Sequence, residues 1–153
     1  MSGFFPVLNH WIHLILIIFW MGGLAFQILI IAPFVKSDAA PPEYLLTLLN
    51  RFQKYITPLL LILIVTGGVN LGIRRAGYEN FPDGYLPAFA FKVLLVGLVI
   101  SIHFFGFVRC KLNDIPNLDH RAELLSRLRY SKWTFSIGII IIFIASMLRQ
   151  WRF

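Results

Sequence analysis

The sequence has little charge and almost no cysteine. Of its 153 residues, 14% are charged and only 7 are acidic, whereas 58% are hydrophobic and the mean hydropathy is +0.76. Such an apolar composition excludes an ordinary soluble enzyme and a disordered chain. The single cysteine, Cys110, cannot close an intrachain disulfide, which excludes a small secreted domain built on disulfides.

Basic residues outnumber acidic ones, but they do not form a basic face. The 14 Lys and Arg residues give a net charge of +7 and lie between apolar blocks. This dispersal excludes classical DNA binding and predicts no nucleic-acid partner. It is typical of loops that face the anionic headgroups of a lipid bilayer, which is the first partner that we expect.

Four apolar blocks are long enough to cross a bilayer, whose hydrocarbon core of about 30 Å needs about 20 helical residues. Only Lys92 interrupts the third block. The fourth is short, but Lys132 and Arg149 border it and their long side chains can snorkel to the interface. The blocks cover about residues 7–35, 55–73, 86–108 and 133–149.

The first block is too long for the core of a signal peptide and has no basic residue before it, so we expect it in the mature protein. With four such blocks and little chain between them, the sequence predicts an all-α fold. This fold is an integral membrane bundle of four transmembrane helices that forms a single domain over residues 1–153.

Alternating crossings divide the basic residues unequally between the two sides of the membrane. One side receives nine and the other four, with Lys92 inside a helix. Because cytoplasmic loops are rich in Lys and Arg, we expect both termini outside the cytoplasm, in a bacterial inner membrane. The nine are Lys36, Arg51, Lys54, Arg109, Lys111, Arg121, Arg127, Arg129 and Lys132; the four are Arg74, Arg75, Arg149 and Arg152.

The chain before the fourth block has an amphipathic pattern. Leu124, Leu125 and Leu128 share one side with arginines around them, and Asp119 is a suitable N-cap. This pattern predicts a short helical stretch that lies on the cytoplasmic surface of the membrane.

Ionisable residues inside the apolar blocks are the strongest functional signal, because they are costly to keep at membrane depth. On the first helix, His13, Trp20 and Gln27 recur every seven residues and therefore share a face that should point into the bundle. On the third helix, eleven residues separate Lys92 from His103, which again places both on one face.

Depth divides these residues into two levels. Lys92 and His13 each lie about 10 Å into their helices, near the outer side, at about 1.5 Å of rise per residue. By the same count, His103 lies about 24 Å along the third helix, near the cytoplasmic end. One metal held between His13 and His103 is therefore disfavoured. Two separate sites, or one site with His13 and a non-histidine neighbour, fit better.

The histidines are the candidate metal ligands. His13 and His103 come first, and His10 and Met147 are secondary candidates. Lys92 is a candidate for binding an anionic group such as a haem propionate, or a quinone oxygen. The alternative for each histidine is a neutral imidazole that bonds to a neighbouring helix.

The first-helix string HLILIIFWMGGL, which begins at His13, resembles the opening helix of the copper-resistance-D-like membrane family and of the related HemJ-type protoporphyrinogen oxidases. Both families show a histidine, a tryptophan seven residues on, here Trp20, and then small residues. The spacing of eleven between Lys92 and His103 resembles the lysine-to-histidine spacing of HemJ-type proteins.

This resemblance implies a four-helix protein that binds one or two b-type haems. His13 would be an axial ligand, Trp20 would line the macrocycle, Lys92 would neutralise a propionate, and His103 would serve a second haem or a quinone. The leading prediction is electron transfer to or from a quinone or a partner subunit, in a homodimer or a larger redox membrane complex.

Two other activities remain open from the resemblance, and a purely structural accessory subunit is a further alternative. One activity is HemJ-type oxidation of protoporphyrinogen IX, but Arg129 is followed here by Tyr130 and not by the acidic residue and proline of that family. The other is copper handling, for which only His10, His13 and Met147 could cluster.

Overall fold

A computed structural model describes the backbone of residues 3–37, 41–76, 84–112 and 120–150, and the side chains of 3–37, 41–73, 84–105 and 120–149. Within these ranges the chain is helical and contains no strand. The elements are α1 (Phe4–Phe26), a π-helical segment (Gln27–Ile31), α2 (Ala32–Lys36), α3 (Pro42–Ala76), α4 (Tyr85–Leu112) and α5 (His120–Gln150).

Among the described residues, four helical stretches are long and apolar enough to cross a membrane, so the protein is an integral membrane protein and the predicted all-α four-helix bundle is confirmed. The helices of the second and fourth spans begin well before the apolar blocks, at Pro42 and His120. The four stretches are Phe4–Lys36, Pro42–Ile73, Tyr85–Phe105 and His120–Arg149.

The prediction of a separate amphipathic stretch before the fourth span is wrong. From His120 onward the chain is one continuous helix, and Asp119, the expected N-cap, lies outside the described residues. Leu124 is 0% exposed and Leu128 is 4% exposed, because both pack against α2 and the start of α3. Tertiary packing therefore buries two of the three leucines that the sequence assigned to a membrane surface, whereas Leu125 stays 44% exposed.

The first span contains a π-helical turn just before Pro33. The backbone N–H of Ala32 bonds to the carbonyl of Gln27, five residues earlier. Proline has no N–H, and its ring clashes with the carbonyl four residues before it in a regular α-helix. A wider turn relieves that clash, and π-turns of this kind are frequent at functional sites.

The bundle is held by two main helix pairs, α1 with α3 and α4 with α5, and α5 also touches α1 and α3. We call the end that holds α2 and the start of α5 the basic end, and the opposite one the terminal end. A cluster of buried residues, including Trp20, Ile56 and Val99, joins α1, α3 and α4. Outward-facing residues such as Ile18 and Phe105 are 68% and 74% exposed, as expected for a surface that faces lipid.

Candidate functional site

Polar side chains form two clusters between the spans, at different depths. The first cluster contains His13 of α1 and Thr66 of α3. The second contains His103 of α4 and Thr57 of α3. The two threonines are nine residues apart in α3. This spacing separates them by about 13 Å along the helix axis and places them on roughly opposite faces of the helix. The histidines therefore lie on different sides of α3 at separate levels, in agreement with the two levels deduced from the sequence.

In the first cluster, a hydrogen bond network fixes the His13 ring. Nδ1 of His13 is 2.8 Å from Oγ1 of Thr66. The same hydroxyl lies 2.9 Å from the carbonyl oxygen of Ile62, to which it donates its one proton. When the Thr66 hydroxyl donates to that carbonyl, its oxygen accepts from Nδ1–H of His13, and Nε2 of the neutral imidazole keeps a lone pair.

Asn9 extends this network by one helical turn. Its Nδ2 donates to the carbonyl oxygen of Thr66 at 3.0 Å and to Oδ1 of Asn70 at 2.8 Å. Asn9 is 8% exposed, so the amide is buried with partners on α3. The sequence analysis missed Asn9 and Asn70. The spacing in the sequence could have identified them. Residues four apart share a helix face, and this is the spacing of Asn9 from His13 and of Asn70 from Thr66.

The His13 ring also occupies space that a glycine provides. A Cβ added at Gly67 would lie 3.2 Å from Cε1 of His13, which is tighter than an ordinary contact. The same is true of Gly23, where an added Cβ would overlap the Phe52 ring. These glycines make room for side chains of this chain, as small residues do where membrane helices approach closely. Gly22 and Gly68 have no neighbour within 4 Å of such a Cβ.

Lys92 lies within electrostatic range of His13, as the shared depth of the two residues predicts. His10 is within the same range. Lys92 and His10 are both half-buried. Met147, the other secondary ligand candidate, is 55% exposed on the outer surface of α5.

The second cluster repeats the chemistry of the first with the ring nitrogens exchanged. Nε2 of His103 is 2.9 Å from Oγ1 of Thr57, and that hydroxyl donates to the carbonyl oxygen of Gln53 at 2.9 Å. When the Thr57 hydroxyl donates to that carbonyl, its oxygen accepts from Nε2–H, and Nδ1 of neutral His103 keeps the lone pair. Nε2 of Gln53 closes the cluster by donating to the carbonyl oxygen of His103 at 3.4 Å.

A cavity of about 80 Å³ adjoins the second cluster, and all four spans contribute to its lining. Trp20 lines it and is 5% exposed, so the structure brings Trp20 next to His103 and not next to His13. Gln27, at 6% exposed, accepts a hydrogen bond from Ser131 Oγ at 2.6 Å. As predicted, the face that carries His13, Trp20 and Gln27 points into the bundle. Its residues lie at two depths, with His13 in the first cluster and Trp20 and Gln27 beside the second.

Arg127 closes the cavity toward the basic end. Its guanidinium donates to the carboxylate of Glu123 and to Oδ1 of Asn50. The Arg127 and Glu123 side chains are only 14% and 11% exposed. A partly buried cation is tolerated there because a carboxylate one turn away compensates its charge.

The donor chemistry around His13 fits an axial ligand for haem iron. A metal-ligating histidine usually donates one ring N–H to a second group and binds metal through the other nitrogen, as Nδ1–H and Nε2 of His13 are arranged. Lys92 supplies a cation at the same level. In the parts of the chain that the structure describes, no three His, Cys, Asp or Glu residues are grouped so that they could hold a bare metal ion.

No protein-family model, curated protein or solved structure matches the chain.

Proposed function

We propose that the protein is an integral membrane b-type haem protein that transfers electrons to or from a quinone or a partner subunit, and that His13 is an axial ligand through Nε2. The observation that supports this most is the bond between Nδ1–H of His13 and Thr66, at 2.8 Å. It leaves Nε2 with its lone pair, which is the form of imidazole that binds iron. His103 donates Nε2–H to Thr57 instead, which favours His13 as the ligand.

Each residue near His13 has a defined task in this proposal. Thr66 holds the tautomer and the ring orientation, and Asn9 ties α1 to α3 one turn away. Lys92 compensates the negative charge of a propionate. Gly67 provides the space in which the imidazole lies. When bound, haem b supplies a one-electron redox couple whose potential depends on its axial ligand and on burial.

A reduced-minus-oxidised visible spectrum of the detergent-purified protein tests the proposal. We expect haem bands in the wild type and their loss in His13→Ala, because the iron loses its ligand. The matched control is His120→Ala, since His120 is an exposed histidine at the start of α5. Absence of haem bands from the wild type would overturn the proposal, and full haem in His13→Ala would overturn the ligand assignment.

The same preparation separates electron transfer from the two other activities. Haem without turnover of protoporphyrinogen IX supports electron transfer, whereas turnover supports the HemJ-type enzyme. Bound copper without haem supports copper handling. The membrane that best fits the basic end is a bacterial inner membrane with that end in the cytoplasm and both termini outside.

A further inference from the structure

Two buried polar groups at the cavity beside His103 lack a hydrogen-bond partner. Gln27 is 6% exposed and Thr134 is 7% exposed, and both line the cavity. Oε1 of Gln27 accepts a hydrogen bond from Ser131. Within the part of the chain that the structure describes, however, Nε2 of Gln27 has no partner, and neither has the hydroxyl of Thr134.

These two groups reach the cavity itself. Among the described residues, every side-chain nitrogen or oxygen that is completely enclosed has a hydrogen-bond partner. Nε2 of Gln27 and the Thr134 hydroxyl therefore keep some accessible surface, and the cavity that both residues line provides it. Because an unpaired donor in a protein interior is costly, both groups indicate a ligand that brings an acceptor oxygen.

The size and the opening of the cavity limit what this ligand can be. The volume is about 80 Å³, whereas a cavity that takes up benzene has roughly 150 Å³, so only one edge of a six-membered ring fits inside. The cavity is half-open, and of its lining residues only Tyr130 is exposed, so the opening lies beside Tyr130.

The opening faces the boundary between lipid headgroups and hydrocarbon. Tyr130 is 43% exposed and Trp133, three residues further on, is 64% exposed. Exposed Tyr and Trp side chains concentrate at this level of a membrane, and the cation Lys132 lies between the two. A ligand that enters beside Tyr130 therefore comes from the bilayer, with its polar end at the headgroup level.

The lining favours a neutral, flat ligand over an anion. The Glu123 carboxylate compensates the charge of Arg127, and the two unpaired groups are a neutral amide and a hydroxyl. Trp20 and Phe52 add aromatic walls, on which a flat ring can stack. A quinone headgroup has the matching chemistry, because it is an uncharged ring with carbonyl acceptors, and its tail remains in the hydrocarbon.

We infer that this cavity binds the carbonyl edge of a membrane quinone headgroup. Gln27 Nε2–H and the Thr134 hydroxyl donate to a carbonyl oxygen, which can accept two hydrogen bonds. The ring packs against Trp20, and the rest of the headgroup stays at the opening beside Tyr130. This inference rests on the proposed function, in which a quinone is one of the electron partners, and it gives that partner a binding site separate from His13.

Photoaffinity labelling in lipid nanodiscs tests this inference, with an azido-quinone that carries a decyl tail as the probe. We expect labelled peptides from the cavity lining, above all around Tyr130, and displacement of the label by excess decylubiquinone. Excess decanoic acid should not displace it, because decanoate is charged and has no ring. Absence of label from the lining, or equal displacement by decanoic acid, would overturn the inference.

Substitutions of the two unpaired groups supply the discriminating variants. Thr134→Val removes the hydroxyl with little change in shape, and Gln27→Met removes the amide. Each should weaken displacement by decylubiquinone about three- to tenfold, as expected for the loss of one hydrogen bond. Thr134→Ser keeps the hydroxyl and should bind as the wild type does. Thr47→Val is the matched control, because Thr47 is exposed and bonds only within its own helix.

Thr134→Val alone decides the matter should Gln27→Met fail to fold, and unchanged affinity in folded Thr134→Val would refute the site. The haem proposal fails separately. His13→Ala should lose the haem bands and keep the quinone label, because His13 belongs to the first cluster. A quinone label in a wild type without haem bands would sustain the site and overturn the proposed function. Haem bands without a quinone label would overturn the site alone.

Discussion

At the scale of single residues, both histidines depend on threonines of α3. Each threonine hydroxyl lies within hydrogen-bond distance of a carbonyl four residues earlier and of one imidazole nitrogen. The sequence predicted His13 and His103 because ionisable groups are conspicuous in an apolar block. It did not predict Thr57, because a hydroxyl can bond within its own helix and gives no signal of an external partner.

The bond between His13 and Thr66 should contribute measurably to stability. Thr66→Val removes the hydroxyl and keeps the shape, so we expect a loss of about 0.5–1.5 kcal/mol, the usual range for hydrogen bonds between membrane helices. Unfolding in mixed detergent micelles measures this difference. Thr47→Val is the control, because Thr47 is exposed and bonds only to the carbonyl of Glu43, in its own helix. Equal effects of the two substitutions would show that the contact with His13 contributes nothing.

At the scale of the elements, the pairing of α1 with α3 depends on small residues. The four apolar spans could be predicted from hydropathy, but the early starts of α3 and α5 could not, because a helix need not end where the hydrocarbon ends. Gly23 receives the ring of Phe52, whereas its neighbour Gly22 receives nothing.

Gly23→Ala should therefore weaken the α1–α3 contact. The new methyl group would overlap the Phe52 ring, and overpacking of this kind costs about 1–3 kcal/mol. Gly22→Ala should be neutral, or stabilising by up to about 1 kcal/mol, because alanine is the better helix former and has open space there. The same unfolding assay compares the two. A Gly23→Ala protein as stable as Gly22→Ala would contradict the packing shown by the structure.

At the scale of the whole molecule, the order in which the spans pack could not be predicted from the sequence. In lipid, every apolar face is solvated equally well, so hydropathy does not indicate which spans touch. The pairing of α4 with α5, and the small contact of α4 with α3, come from side-chain fit. Because the contacts between spans could not be predicted, the sequence assigned Trp20 to the interior of the bundle but did not place it beside His103.

The uneven distribution of basic residues leads to a prediction for the orientation of the whole bundle. In a Cys110→Ser background, Gly3→Cys should react with a membrane-impermeant maleimide in intact bacterial cells, because the N-terminus is expected outside. Ser37→Cys lies at the basic end and should react only after the cells are lysed. Both positions are exposed in the structure. The opposite labelling pattern would reverse the proposed topology.

The helix pairing also bears on how the protein is assembled during synthesis. The partners of His13 lie on α3, so the first cluster is complete once the chain has been made as far as Asn70. His103 joins α4 to α3, and α5 supplies Ser131, so the second cluster waits for the last two spans. Membrane helices insert first and associate afterwards. The ribosome therefore delivers the hydrogen-bonded cluster of His13 as an early hairpin, and the cavity beside His103 arises only when a later hairpin docks against it.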